Sequence, residues 1–162
     1  MALPKRKPNR LVNYDYSSNG AYFVTICTHQ RSKILGDIVG DGLPVLKRCG
    51  IIAEEIIRMI PEKYPCVKVD KFVVMPNHIH TILLFMNEIG TGNPSSTLGN
   101  VIGWYKYQVT KRINDGREYQ KERVFQRSYH DHIIRGEMDY RKIWEYIDTN
   151  PIRWAEDCFY VE

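Results

Sequence analysis

His78 and His80 stand two residues apart in the run His78-Ile-His-Thr-Ile-Leu-Leu-Phe85, whose apolar residues read as a strand. Alternate residues of a strand project from one face, so both imidazoles point the same way and can share one divalent ion. A lone His-x-His is a weak motif, and a satisfied core or surface histidine is the plainer alternative. The pair's position favours the metal reading: it follows the tight turn Met75-Pro-Asn77 and is anchored by Ile82 and Leu84 on the same face.

Two other His-x-His chemistries fail on counting. A nucleotide-binding histidine triad needs a third histidine where Ile82 stands, and the paired His-x-Thr phosphoesterases need two copies, with Thr81 out of step. A helix over Glu137–Thr149, closed by Asn150-Pro151, supplies the other reactive groups. Its wheel puts Tyr140, Ile143, Trp144 and Ile147 on a buried arc and leaves Tyr146 and Asn150 together on one flank. Facing the histidines, that flank offers Asn150 oxygen as a third ligand and Tyr146 as a nucleophile. The alternative makes Tyr146 an amphipathic boundary residue and Asn150 a helix stop.

The elements that position these residues follow from periodicity. Tyr22–Thr28 is dense in β-branched and aromatic residues and reads as a buried strand, and residues 36–44, with three glycines and Pro44, read as a loop. From Leu46 the residues Ile51, Ile52, Ile56, Met59 and Ile60 recur at helical spacing until Pro61 stops the pattern. Val67–Val74 and His78–Phe85 form an antiparallel pair around the Pro-Asn bend. A glycine-rich connection over 87–96 leads to a cap at Ser95, Ser96 or Thr97 and a helix whose apolar face is Leu98, Val101, Ile102, Tyr105, Val109 and Ile113. A last strand is expected over Tyr129–Ile134. This order is the split β-α-β arrangement of an α+β, ferredoxin-like antiparallel sheet, with helices on one face and an extra C-terminal helix.

At 162 residues the chain is the length of one domain, with residues 1–13 as a basic tail. Its 43% hydrophobic content excludes disorder, and no apolar run approaches a membrane span. No apolar stretch follows the basic N-terminus, so a cytoplasmic chain without a membrane partner is expected. Cys27, Cys49, Cys66 and Cys158 form no C-x-x-C pair and are read as reduced thiols. The net charge of +4 is uneven: residues 5–10 and 106–127 each carry an excess of four positive charges, so the remainder sums to −4. Lys5, Arg6, Lys7, Arg10, Lys106, Lys111, Arg112 and Arg127 are therefore candidate phosphate contacts, with a solvated helix face and tail as the alternative. Trp104 or Tyr105 is a candidate for stacking on a base, Tyr105 fitting the core better.

Four segments together resemble a known family: Asn19–Thr28, Val73-Val-Met-Pro-Asn-His-Ile-His80, Phe125–Arg135 and Tyr146-Ile-Asp-Thr-Asn-Pro151. They are similar, in the same order, to the single-tyrosine HUH transposases of the IS200 type, most closely their REP-associated branch. The resemblance implies that His78 and His80 bind the ion, that Tyr146 is the nucleophile and that Asn150 occupies the third-ligand position, where relatives outside that branch more often have glutamine. It also implies metal-dependent cleavage and rejoining of single-stranded DNA, often beside a hairpin, through a 5′-phosphotyrosine link. Oxygen and imidazole ligands suit Mg²⁺ or Mn²⁺. His130 and His132 are candidates for supporting the ligands or touching DNA, or belong to a surface turn. The site can be built within one chain or, in a homodimer, by exchanging the Tyr146 helix. Two other functions remain: an HUH replication initiator or relaxase, whose usual extra domains 162 residues cannot hold, and a domesticated hairpin-binding module that does not cut.

Overall fold

The computed structural model describes residues 13–16, 18–86, 96–115 and 121–162. Four antiparallel strands make the main sheet: β1 (Gly20–Cys27), β4 (Val67–Val74), β5 (His78–Phe85) and β6 (His130–Ile134), in the order β4-β5-β1-β6. β5 separates the co-directional β1 and β4, which is the expected split β-α-β arrangement. Residues 36–44 correct the expectation of a loop. They belong to a two-stranded hairpin, β2 (Gly36–Val39) with β3 (Leu43–Leu46). Pro44 is tolerated because a two-stranded ribbon has only edge strands.

The helices lie on both faces. α1 (Arg48–Arg58) and α3 (Leu98–Asn114) cover the face formed by Tyr22, Val24, Ile26, Ile79, Leu83 and Phe85, and this is the main apolar core. The six apolar positions expected of α3 are all buried, and the Thr97 hydroxyl caps the helix by accepting from Asn100 N–H at 3.2 Å. α1 departs from expectation at four residues. Leu46 belongs to β3, Ile51 and Met59 are exposed, and Pro61 does not stop a helix but sits at the start of the short α2 (Ile60–Lys63). Proline is favoured there because the first turn has no N–H to lose.

α4 (Glu137–Thr149) crosses the opposite face. A bulge between Val69 and Lys71 inserts Asp70 into β4, and both side chains reach α4. Tyr140 hydroxyl donates to Asp70, while Lys71 Nζ pairs with Asp148 at 2.5 Å and lies 3.7 Å from the Trp144 ring centroid. Only Ile147 of the expected arc is buried; Tyr140 and Ile143 are half-buried and Trp144 is exposed. α4 is held along its edge rather than sunk into a core, which leaves its Tyr146 flank open.

Candidate active site

Register places the site residues on the face that α4 covers. Thr25 pairs with His80 and Cys27 with His78 across β1 and β5, while Val73 pairs with His80 across β4. Paired residues of antiparallel strands share a face, so His78 and His80 rise from the middle of the sheet beneath the chain that follows α4. Both are buried, and their Nε2 atoms lie 3.0 Å apart.

The surrounding hydrogen bonds fix the imidazoles. Asn77 Nδ2 donates to the carbonyls of Arg31 at 3.2 Å and Phe159 at 2.8 Å, so its Oδ1 must face His78 Nδ1, 2.8 Å away. His78 Nδ1 is therefore the protonated nitrogen and donates to Asn77, leaving the Nε2 lone pair free to bind a cation. The Arg31 carbonyl is aimed by two consecutive left-handed residues, Gln30 at φ 53° and Arg31 at φ 54°. His80 Nδ1 lies 2.8 Å from Thr25 Oγ1, which serves as donor or acceptor according to the imidazole tautomer.

Two residues that follow α4 complete the cluster. Asp157, its side chain fully buried, accepts from Asn150 Nδ2 at 2.5 Å and from Phe159 N–H at 2.7 Å, and lies 3.9 Å from His78 Nε2. Ligand atoms of His78, His80 and Asp157 all fall within 4.8 Å of one another. Asn150 is buried, and with its amide nitrogen turned to Asp157, its Oδ1 has no hydrogen-bond partner. Two imidazole nitrogens, an orphaned amide oxygen and a buried carboxylate suit a divalent cation such as Mg²⁺ or Mn²⁺. The donor set thus fits a divalent metal.

Burial drives the electrostatics. Desolvation pushes His78 down to about 4, although Asp157 and Asn150 oppose it, and pushes His80 well below its usual range, helped by His78 beside it. Both are neutral imidazoles at neutral pH. Tyr146, 38% exposed on α4, places its hydroxyl 3.4 Å from His80 Nε2 and 3.5 Å from Asp157 Oδ2, with its ring edge-on to Phe23. Burial and the Asp157 charge raise its pKa to about 12, so the phenol holds its proton.

The structure brings His78, His80, Asn150 and Tyr146 together and sets the other candidates apart. His130 is exposed on β6, its ring 6.3 Å from that of Phe159, while His132 pairs with Asp139 at 2.9 Å at the entry to α4. Lys106 Nζ donates to the carbonyls of Gln126 and Arg127, and burial lowers its pKa; it ties α3 to the following chain. Lys111 and Arg112 lie on α3, across the sheet from the histidines, and Arg112 pairs with Glu55 at 2.8 Å. Arg127 is exposed next to Gln126, whose N–H donates to Cys27 at the site end of β1. Tyr105 is in the core, donating to Ala53, and Trp104 packs edge-on against Tyr64. Lys5, Arg6, Lys7 and Arg10 lie outside the described residues. Sequence reasoning missed Asp157, Thr25 and Asn77. Thr25 needed the β1–β5 register, and Asp157 sits in an irregular stretch without periodicity.

Comparison with known proteins bears on this cluster. The profile of the family described as "Transposase IS200 like" matches residues 16–150. An uncharacterized protein of Haemophilus influenzae is 34% identical over 97% of this chain and 94% of its own length. A second protein of that organism, carrying the provisional name REP-associated tyrosine transposase, is 24% identical over 86% of this chain and 74% of its own. Among solved structures, that of a REP-associated tyrosine transposase bound to a REP hairpin has a TM-score of 0.63 at 21% identity, covering 90% of this chain and 74% of that one. This last likeness is one of fold.

Proposed function

The chain belongs to the IS200-like transposase family, and from that premise we propose that it cleaves and rejoins single-stranded DNA beside hairpins, with Tyr146 as nucleophile. The observation that carries the reading is the convergence of Tyr146 from α4 on His80 from β5, hydroxyl to Nε2 at 3.4 Å. Held by His78, His80 and the oxygens of Asn150 and Asp157, a Mg²⁺ or Mn²⁺ ion would supply positive charge against a non-bridging oxygen of the scissile phosphate.

Tyr146 enters the reaction protonated, because burial and Asp157 hold its pKa near 12. Asp157 Oδ2, 3.5 Å from the phenol, is the nearest anionic acceptor for its proton. The phenolate oxygen forms a bond to phosphorus as the bond from phosphorus to the 3′ oxygen breaks. That oxygen leaves with the electron pair and takes up a proton. The products are a free 3′-hydroxyl and a 5′-phosphotyrosine; attack by a 3′-hydroxyl on the phosphotyrosine restores the DNA bond and returns a proton to Tyr146. Thr25 and Asn77 orient the imidazoles, and Asn150 holds the Asp157 carboxylate in place. Tyr146 meets His80 of its own chain, which supports a site built within one copy.

A hairpin-flanked single strand, labelled separately at each end and incubated with Mg²⁺ or Mn²⁺, tests this reading. The 3′ label is expected to enter a protein adduct that survives denaturation, and the 5′ label a short free fragment. Equal cleavage of duplex DNA, or no cleavage with either metal, would contradict it.

A further inference from the structure

A groove beside the catalytic cluster has no part in the chemistry above. Its walls include Lys33, Asp37, Pro76, Pro151, Trp154 and Tyr160, so it runs between the β2–β3 hairpin and the chain following α4. The two walls meet at Gly42, where φ is +98° and a Cβ would fall 2.5 Å from Ile152 Cα. Only glycine permits this approach.

Two chain neighbours and one ring contact join the groove to the site. Pro76 precedes His78 by two residues, Pro151 follows Asn150, and the Trp154 ring lies 5.9 Å from the His78 ring. Tyr160 meets Trp154 edge-on at 5.3 Å and keeps 40% of its surface in solvent. Charge selects the occupant. Asp41 repels a phosphate but accepts N–H groups from a base edge, Asp37 is already paired with Lys47 at 3.1 Å, and the aromatic pair supplies a stacking surface. Lys33 is shared with a second groove, where Lys47, Arg48 and Arg123 outnumber Glu122, and this basic excess suits the sugar-phosphate backbone.

We infer that the groove of Trp154 and Tyr160 binds a nucleobase next to the scissile phosphate while the backbone follows Lys33 into the basic groove. The inference rests on the cleavage reading and deepens it by assigning a specificity subsite. Tyr160 touches no reacting atom, so its effect belongs to binding.

The test measures binding by fluorescence anisotropy in a Tyr146→Phe background, so that no cleavage intervenes. The strand flanks a hairpin, and an abasic site is walked through it one nucleotide at a time. At one or two positions, base loss is expected to weaken binding about tenfold. Adding Tyr160→Ala should weaken the intact strand about tenfold and the strand abasic at those positions no further, because both changes remove the same contact. Tyr160→Phe, which keeps the ring, should bind as before. Losses that multiply at every position, or Tyr160→Ala binding the intact strand unchanged, would overturn the subsite, as would failure to bind any single strand. Adduct formation by protein with Tyr146 intact is scored separately. No adduct beside a position-specific Tyr160 effect indicts the cleavage reading alone, and an adduct without that effect indicts the subsite alone.

Discussion

Lowering the pH from 7.5 to 5.5 should destabilise this fold through its two buried histidines. In the native chain His78 is held at about 4 and His80 well below 6.5, in each case chiefly by burial. In the unfolded chain both return to about 6.5. As pH falls through 6.5 the unfolded chain takes up protons that the native chain refuses, so the stability present above 6.5 is progressively lost. Over this interval each imidazole accounts for roughly 1 kcal/mol and the pair for about 2–3 kcal/mol. Urea denaturation at the two pH values, with a chelator present, measures the loss in the native sequence and in the double variant His78→Gln, His80→Gln. The variant's loss should be smaller by about 2–3 kcal/mol. An identical loss in both proteins would refute the reasoning, whatever their absolute stabilities.

Three further outcomes follow from individual contacts. Thr25→Val removes the partner of His80 Nδ1; it should cost about 1–3 kcal/mol of stability and weaken Mn²⁺ binding about tenfold or more by calorimetry, and an unchanged affinity contradicts this. Asp157→Asn keeps an oxygen for Asn150 Nδ2 but removes the charge, so Mn²⁺ affinity should fall about tenfold and the Tyr146 phenol, read by ultraviolet titration, should ionise at lower pH; if neither moves, Asp157 only props Asn150. Gly42→Ala would force a methyl against Ile152 and strain a positive φ, costing about 1–3 kcal/mol in thermal or urea unfolding, whereas an unchanged midpoint would deny the close approach.

Much of this arrangement is written locally in the chain. β4, β5 and α4 fall on the residues that alternation, helical periodicity and the Asn-Pro stop indicate. His78 and His80 share a face for the same local reason, and Asn150 follows Tyr146 by about one helical turn. What local pattern could not supply was depth and register. A helical wheel gives the direction of Trp144 but not whether anything covers it, and α4 is held by an edge bulge that no periodicity announces. The β2–β3 hairpin escaped because Gly36, Gly40, Gly42 and Pro44 are breakers in isolation, yet they suit a two-stranded ribbon pressed against Ile152. Asp157 becomes visible only when the chain after α4 folds back over the histidines. The basic residues of α3 show the converse: a run of charge in sequence divides, in the fold, into a half-buried tie at Lys106 and an ion pair at Arg112.

The most direct measurement identifies the residue that becomes joined to DNA. A hairpin-flanked single strand is incubated with the protein and Mn²⁺, the product is digested, and the nucleotide-bearing peptide is sequenced by mass spectrometry. The modification is expected on Tyr146, as a phosphodiester to the 5′ end, and Tyr146→Phe is expected to form no adduct while still binding the strand and the metal. An adduct on Tyr129 or Tyr140, or one that persists in Tyr146→Phe, would contradict the assignment of Tyr146 as the nucleophile.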